Sequence, residues 1–489
     1  MEHFYLKGPK ANGFLISALL AIAFAVLYPR WRRHSEILAT KHKFGCKEVT
    51  KYRHKDKWGS DLVRLRAQAM KENRVFELYA TQFDEYGKTW EESWRGKPLI
   101  NTIEPANIQK VAAVGAAAQF PFLGPGIAAS DGPAWKHARN MIKPIFSRAE
   151  VSDVDHFTSF ANRFMALLPN DGSPLDVQPL VRRLFLDYTM DFLFGKPLGF
   201  IEPEVPAEAT EFYEAFLKAN AWSIKRRDSG WLQFQLSRFK ENKEFKDAYT
   251  IVHRYVDKQV ARALRESSDS GNKTGSEDIP VRKRYVLLDE ITKEIRDPIE
   301  LRYHVLAVFL PARDSAAIAV NNMLFQLARH PHIWANLRKQ ALELGDSPLT
   351  FEKLKSLVEF RYVLHETIRT VGPAARVWRM AVRDTVLPTG GGPDQKSPIF
   401  VPSGTPVVSG TWAMNHDKEV WGDDVNEFKP DRWRGRKPLW EFVPFWGVRL
   451  AQRFERIDNC DPVFEYMQRI SPSVESQNGV KVAFKNASG

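Results

Sequence analysis

The chain has 489 residues, with 71 Lys and Arg against 59 Asp and Glu, a net charge of +12 and 44% hydrophobic residues. An apolar share of that size excludes wholesale disorder and collagen-like repetition. Two cysteines, Cys46 and Cys460, exclude a disulfide scaffold, an all-cysteine zinc site and a thiolate-ligated iron–sulfur cluster. The positive balance suits membrane headgroups, nucleic acid or an acidic protein face, without choosing among them.

The first segment chooses the membrane. Residues 13–28 read GFLISALLAIAFAVLY, without a charge, and Arg30, Arg32 and Arg33 follow at once. A spanning helix needs about 17–25 residues, and Tyr28 and Trp31 suit the interface. A cleaved signal peptide has a shorter apolar region, of about 7–15 residues, and an A-x-A site that is not evident here. The expected layout is a luminal segment at 1–12, a signal anchor at 13–28 and a body at 29–489 on the cytosolic side, by the positive-inside rule. No later run reads as long and apolar enough to span.

The body carries no internal repeat. Apolar residues at three- and four-residue spacing predict helices over Trp135–Phe146, Pro179–Phe194 and Phe245–Arg265. Glu266–Asp278, ESSDSGNKTGSED, reads as a flexible linker. A long helix is predicted from about Ile299 to Arg329. Another runs over Phe351–Arg369, with Leu354, Leu357, Phe360, Leu364 and Ile368 on one face. Val386–Ser409 alternates Pro, Gly and β-branched residues, as in a small sheet with tight turns. The expected class is mainly helical (α+β), with a minor β component.

Several motifs fail on geometry. His365-Glu366-Thr367-Ile368-Arg369 begins like a zinc-protease helix, but the second histidine's place is taken by Arg369. His330 and His332 flank Pro331 and do not share a helical face, so a surface turn is expected. Gly390, Gly391 and Gly392 have no helix behind them to receive a phosphate and read as a flexible loop. There is no phosphate-binding loop, nucleophile elbow or dinucleotide fingerprint.

One constellation remains. Glu366 and Arg369 lie three apart and share a helical face. Downstream stands Phe428-Lys429-Pro430-Asp431-Arg432-Trp433. Upstream, Trp135 and Arg139 lie four apart in Trp135-Lys136-His137-Ala138-Arg139, and Ala312-Arg313-Asp314-Ser315 falls inside the long helix. In this order the pieces resemble the cytochrome P450 family of haem-thiolate monooxygenases, over nearly the whole chain. DGPAWKHAR, AVRDTVLPTGGGPDQKSPIFVPSGT and WEFVPF look closest to its fungal microsomal alkane and fatty-acid hydroxylases.

The resemblance implies a P450 fold carrying haem, anchored in the endoplasmic reticulum membrane by a single pass. It implies oxidation of a long apolar small molecule, an alkane or a fatty acid, with dioxygen and electrons from an NADPH-dependent reductase. No nucleic-acid partner is implied. Glu366, Arg369 and Arg432 would form the ion network shaping the haem's proximal side. Trp135 and Arg139 would meet a haem propionate, and Arg379 falls where a second propionate partner often stands. Asp314 and Ser315 would be the acid–alcohol pair that relays protons to iron-bound dioxygen. Residues Phe120 to Ile127 and the long helix would line the pocket.

Two departures from the pattern stand out. The long helix reads Leu310-Pro311-Ala312 where this branch has Ala-Gly, and an internal proline costs about 3 kcal/mol. The family's F-x-x-G-x-R-x-C-x-G loop, whose thiolate ligates the iron, is not found. Between Trp440 and Phe454 the chain reads WEFVPFWGVRLAQRF. Either the cysteine loop and most of the following helix are missing between Gly447 and Val448, or Ala451 occupies the cysteine slot. Cys460, in Asn459-Cys460-Asp461-Pro462, lacks the Phe and Gly spacing. Two functions follow: a monooxygenase whose translated gene omits the ligand block, or a catalytically inactive, membrane-anchored P450-like protein.

Overall fold

The computed structural model describes residues 9–94, 96–108, 120–127, 130, 132–142, 153–228, 242–271, 285–345, 348–372, 376–436, 454–471 and 473–486. The shortened proximal loop expected between Trp440 and Phe454 lies almost wholly outside them. The chain divides into two compact units.

The first unit holds residues 1–64, 81–112 and 378–409. It opens with helix α1, Pro9–Lys43, which contains the predicted anchor and runs well past it. Leu19, Leu20, Phe24, Leu27 and Trp31 are exposed along it. Beyond the apolar run, the Arg33 guanidinium grips both carboxylate oxygens of Asp384. The mixed sheet runs in the order Thr50–Lys51, Thr89–Trp94, Lys97–Thr102, Pro406–Ser409, Val377–Met380. A hairpin pairs Thr385–Gly391 with Ser397–Val401. Ile100, Leu387, Ile399, Val401 and Val407 form the apolar core here, so the β-branched alternation seen in the sequence is a sheet face. The glycine run is not a loose loop. Gly390 and Gly391 end a strand, Gly390 sits at φ +113°, and a Cβ there would stand 2.6 Å from Thr89 Cγ2. Close strand approach, not flexibility, selects glycine.

The second unit is helical and holds residues 65–80, 113–377 and 410–489. Its principal helices are α2 Gly132–Ile142, α3 Gln178–Phe194, α4 Ala207–Asp228, α5 Lys243–Gly271, α6 Pro298–Arg329 and α7 Val358–Val371. The ends of α6 and α3 follow from local chemistry. Asp297 caps α6 by accepting from Ile299 N–H, with Pro298 in the first turn. Gly195, left-handed at φ +73°, closes α3.

Helix α6 is the axis of this unit. Leu301, Val305, Leu306 and Phe309 pack with Phe212 and Phe216 of α4 and with Val252 and Val256 of α5. Farther along, Ala317, Met323, Leu324 and Leu327 pack with Val181 of α3, Trp334 and Phe360. By length and composition α6 could cross a membrane, contrary to the expectation that no later segment could, but most of it is buried inside the unit. It is a core helix.

Other boundaries also differ. Helix α5 continues to Gly271, six residues (266–271) into the stretch read as a linker, and residues 272–278 lie outside the described part. The single helix expected over Phe351–Arg369 is two, Phe351–Ser356 and α7, parted at Leu357 with ψ 77°. His330 is not merely a surface turn. It stands at the first, non-helical position before the helix that starts at Pro331, its Nδ1 bonded to the Gln326 carbonyl at 2.8 Å, and burial keeps its pKa below the usual value. The last strands, Phe454–Asn459 and Lys481–Asn486, pair antiparallel, a β contribution the sequence pattern did not show.

Candidate functional site

The Glu366 carboxylate is the centre of a buried polar cluster. Glu366 and Arg369 on α7 are fully buried, each 0% exposed. Arg369 donates to Glu366 from Nε at 2.9 Å and Nη2 at 2.8 Å. Its Nη1 donates to the Asn415 carbonyl at 2.9 Å and its Nη2 also to that of Glu427 at 3.1 Å. Glu366 accepts further from Arg432 Nε at 3.0 Å, from the Lys429 N–H at 2.9 Å and from Trp433 Nε1 at 2.9 Å. Arg432 is held in turn by Asp424, at 2.9 Å from Nη1, and by the Trp421 and Asp424 carbonyls.

Two charges taken out of water cost several kcal/mol each unless their remaining hydrogen-bonding capacity is met. Here both oxygens of Glu366 and the whole Arg369 fork are engaged. Hydrogen bonds from Lys429 and Arg432 hold the Asp424 carboxyl down at about 2, so it stays ionised opposite Arg432. Burial depresses the Arg432 pKa, but the bonds to Asp424 and Glu366 outweigh it and the net shift is upward. Two imidazoles flank the cluster. His365 packs edge-on against Trp433, and His416 stacks on Trp412 at 3.8 Å. Burial pushes both down to about 4, so both are neutral at physiological pH.

The other expected site residues are placed as follows. Trp135 and Arg139 share one face of α2, with the guanidinium 5.4 Å from the indole ring. Ala138, Met141 and Ile142 turn the other face into the core. Among the described residues no carboxylate pairs with Arg139, which is exposed and free to meet an anion. Arg379 lies in the first unit, on the strand Val377–Met380, where its Nη1 donates to the Trp378 carbonyl at 2.8 Å. On α6 the Asp314 carboxylate is gripped by Arg313 Nε at 2.8 Å and Nη2 at 2.6 Å. The Ser315 hydroxyl donates to the Pro311 carbonyl at 2.8 Å. Residues Phe120–Leu123 form a short helix, whose Phe122 is fully buried 5.3 Å from the Phe216 ring.

Two residues were not foreseen in their roles. Trp433 stood in the quoted FKPDRW motif, yet its indole N–H had no assigned partner. Arg313 was read only as a neighbour of Asp314. It is 4% exposed, with its guanidinium 4.7 Å from the Phe216 ring, 5.5 Å from Tyr213 and 5.9 Å from Phe309. No sequence spacing announces a cation held among rings from two helices.

Comparison with known proteins agrees with this architecture. The sequence model of the cytochrome P450 family matches residues 63–450. The cytochrome P450 monooxygenase iccC of Talaromyces variabilis is 31% identical, over 96% of this chain and 97% of its own length. The cytochrome P450 monooxygenase tenA of Beauveria bassiana is likewise 31% identical over 96% and 97%. The cytochrome P450 monooxygenase himC of Aspergillus japonicus is 28% identical over 100% of this chain and 91% of its own length. A mainly helical body with a buried Glu–Arg–Arg cluster, matched over most of its length, places the chain among the haem-dependent oxygenases. It belongs to the cytochrome P450 family.

That family carries haem, and the donor set of this chain meets it only in part. Arg139, free of a carboxylate partner and beside Trp135, suits a propionate. The axial thiolate has no source. Residues 437–453 contain no cysteine. Cys46 lies in the first unit, where burial pushes its thiol up. Cys460 follows the strand Phe454–Asn459, its N–H bonded to the Lys481 carbonyl at 3.0 Å and its Sγ 3.8 Å from the Asp458 carbonyl. The residues present do not provide a complete haem-thiolate site.

Proposed function

We propose that this chain descends from a membrane-anchored monooxygenase of apolar small molecules and that, as written, it lacks the ligand needed for the chemistry. The observation that carries the first part is the fully hydrogen-bonded Glu366–Arg369–Arg432–Trp433 cluster. So many charge-assisted bonds around one buried carboxylate are costly to assemble and of no evident use to a simple helical scaffold. In the working form, Trp135 and Arg139 would hold a haem propionate. Asp314 and Ser315 would be its proton-relay pair, and electrons would come from an NADPH-dependent reductase. The exposed apolar face of α1 anchors the chain in the endoplasmic reticulum membrane, with its body in the cytosol. A long-chain alkane or fatty acid is the substrate class that the sequence resemblance suggests, and the printed names of the relatives say only monooxygenase.

The second part rests on the position of Cys460, tied to the edge of a strand by its own backbone bond. Two measurements test the pair. Reading the gene between the Gly447 and Val448 codons shows whether an in-frame stretch encoding G-x-R-x-C-x-G was omitted, and uninterrupted codons leave the inactive form as the natural product. The reduced carbon monoxide spectrum of the purified chain is expected to lack a thiolate Soret band, and a chain with that loop restored is expected to gain one. A normal band from the chain as written overturns the assignment of a missing ligand.

A further inference from the structure

Arg313 presents a donor that the α6 chemistry described above does not use. Nε and Nη2 are both spent on Asp314. Nη1 is buried and has no hydrogen-bond partner. A buried guanidinium N–H left unmet is costly, and such groups are normally satisfied by protein, water or ligand. Among the described residues the surroundings supply none: Phe216, Phe309 and Tyr213 meet the guanidinium through their rings.

The location is as telling as the missing partner. Helix α6 is buried from His304 to Phe309 and again from Ala317 to Phe325, yet Leu310, Pro311, Ala312, Asp314, Ser315 and Ala316 between them are accessible. The middle of this core helix is therefore less buried than the stretches on either side, and Arg313 is the residue of that middle stretch that stays buried.

We propose that Arg313 is a ligand-recognition residue whose Nη1 donates to a neutral acceptor, a ketone, ester or amide carbonyl, on an otherwise apolar molecule. Charge decides the class. Asp314 already neutralises the guanidinium, so a second carboxylate would leave a net negative charge among aromatic rings, where charge is poorly solvated. A carbonyl oxygen meets the N–H and adds no charge. A saturated alkane meets nothing. The rings fix the guanidinium plane by cation–π contact and pack against the apolar remainder of the ligand. This rests on reading the accessible face of α6 as the side that receives the substrate, and it replaces the alkane or fatty acid suggested by the sequence resemblance with an apolar molecule bearing a neutral carbonyl.

Binding can be read without haem chemistry, by equilibrium dialysis of the full chain in detergent micelles against 7-tridecanone, tridecane and dodecanoate. The ketone is expected to bind about tenfold more tightly than the alkane, the usual worth of one buried hydrogen bond to a charged donor, and more tightly than the carboxylate. Because Arg313→Met alone strands Asp314, the variant to use is the double one, Arg313→Met with Asp314→Leu. It is expected to bind tridecane as the parent does, which also reports that it folds, and to lose the ketone preference. Equal binding of ketone and alkane by the parent, a preference that survives in the double variant, or tighter binding of dodecanoate overturns the assignment of Arg313. Failure of all three probes to bind overturns the reading of α6 as the substrate face, and the proposal with it.

Discussion

The indole N–H of Trp433 donates to Glu366 Oε2 at 2.9 Å, on the same carboxylate that Arg369 and Arg432 share. Glu366 is thus the common acceptor for two guanidinium groups, one backbone amide and one indole. Removing a donor and removing the acceptor should therefore have very different consequences. Trp433→Phe deletes one hydrogen bond to a buried carboxylate and is expected to cost about 1–3 kcal/mol. Glu366→Gln leaves Arg369 buried without a counter-charge and Arg432 with Asp424 alone, and breaking a buried pair in this way costs about 3–5 kcal/mol. Urea unfolding of the two variants checks the ranking, and a Trp433→Phe loss as large as that of Glu366→Gln would sink it.

The same cluster makes the protein sensitive to mild acid. His365 and His416 are pushed down to about 4 by burial, whereas an unfolded histidine titrates near 6.5. Between those values the unfolded chain binds more protons than the folded one, so stability falls as pH falls through that window. The contribution is complete above about 6.5 and gone below about 4. Asp424, held at about 2 by Lys429 and Arg432, gives up its share only at lower pH, between its ordinary value and about 2. Urea midpoints measured from pH 7 to pH 4.5 should decline steadily. The variant His416→Gln, which does not ionise, should show a shallower slope, and an unchanged slope would exclude His416 as a source.

Pro311 offers a third test. It lies inside α6, where a proline removes one main-chain hydrogen bond and crowds the preceding turn. The residue is exposed, so its replacement disturbs little packing. Pro311→Ala is expected to stabilise the chain by about 1–3 kcal/mol, the proline penalty less whatever the helix has already relaxed. A gain in the urea midpoint checks this. No gain would mean that the helix accommodates the proline in full.

What was legible in the sequence follows the range of the interactions. Helices α3 and α6 could be read because their apolar spacing and their Pro and Gly punctuation are local. The Glu366–Arg369 pair could be read because it lies on one turn. The Arg432 and Trp433 contacts join residues far apart in the chain, and only the motif order pointed to the first of them. Leu357 breaks its helix although its apolar spacing continues, because periodicity records which side is buried and not whether the backbone turns. The aromatic setting of Arg313 draws on α4 and α6 together, so no window of sequence contains it. The strand Lys481–Asn486 pairs with Phe454–Asn459 and with Leu175–Asp176 far back in the chain, and it lacks the alternation that made Val386–Ser409 recognisable.

The anchoring role assigned to α1 leads to the last expectation. Leu19, Leu20, Phe24, Leu27 and Trp31 face outward on this helix, whereas beyond the apolar run Arg33 is tied to Asp384 in the first unit. The two halves of α1 should therefore be separable. Deleting residues 2–28 removes the apolar run but keeps the Arg33–Asp384 pair and the rest of the first unit. The shortened chain is expected to move from the membrane pellet to the supernatant without detergent and to unfold at the same urea concentration as the parent. Arg33→Ala in the full chain should leave it in the membrane and alter stability by less than about 1 kcal/mol, since a solvent-exposed ion pair is worth little. Retention of the truncated chain in the pellet, in folded form, would place the membrane attachment elsewhere on the body.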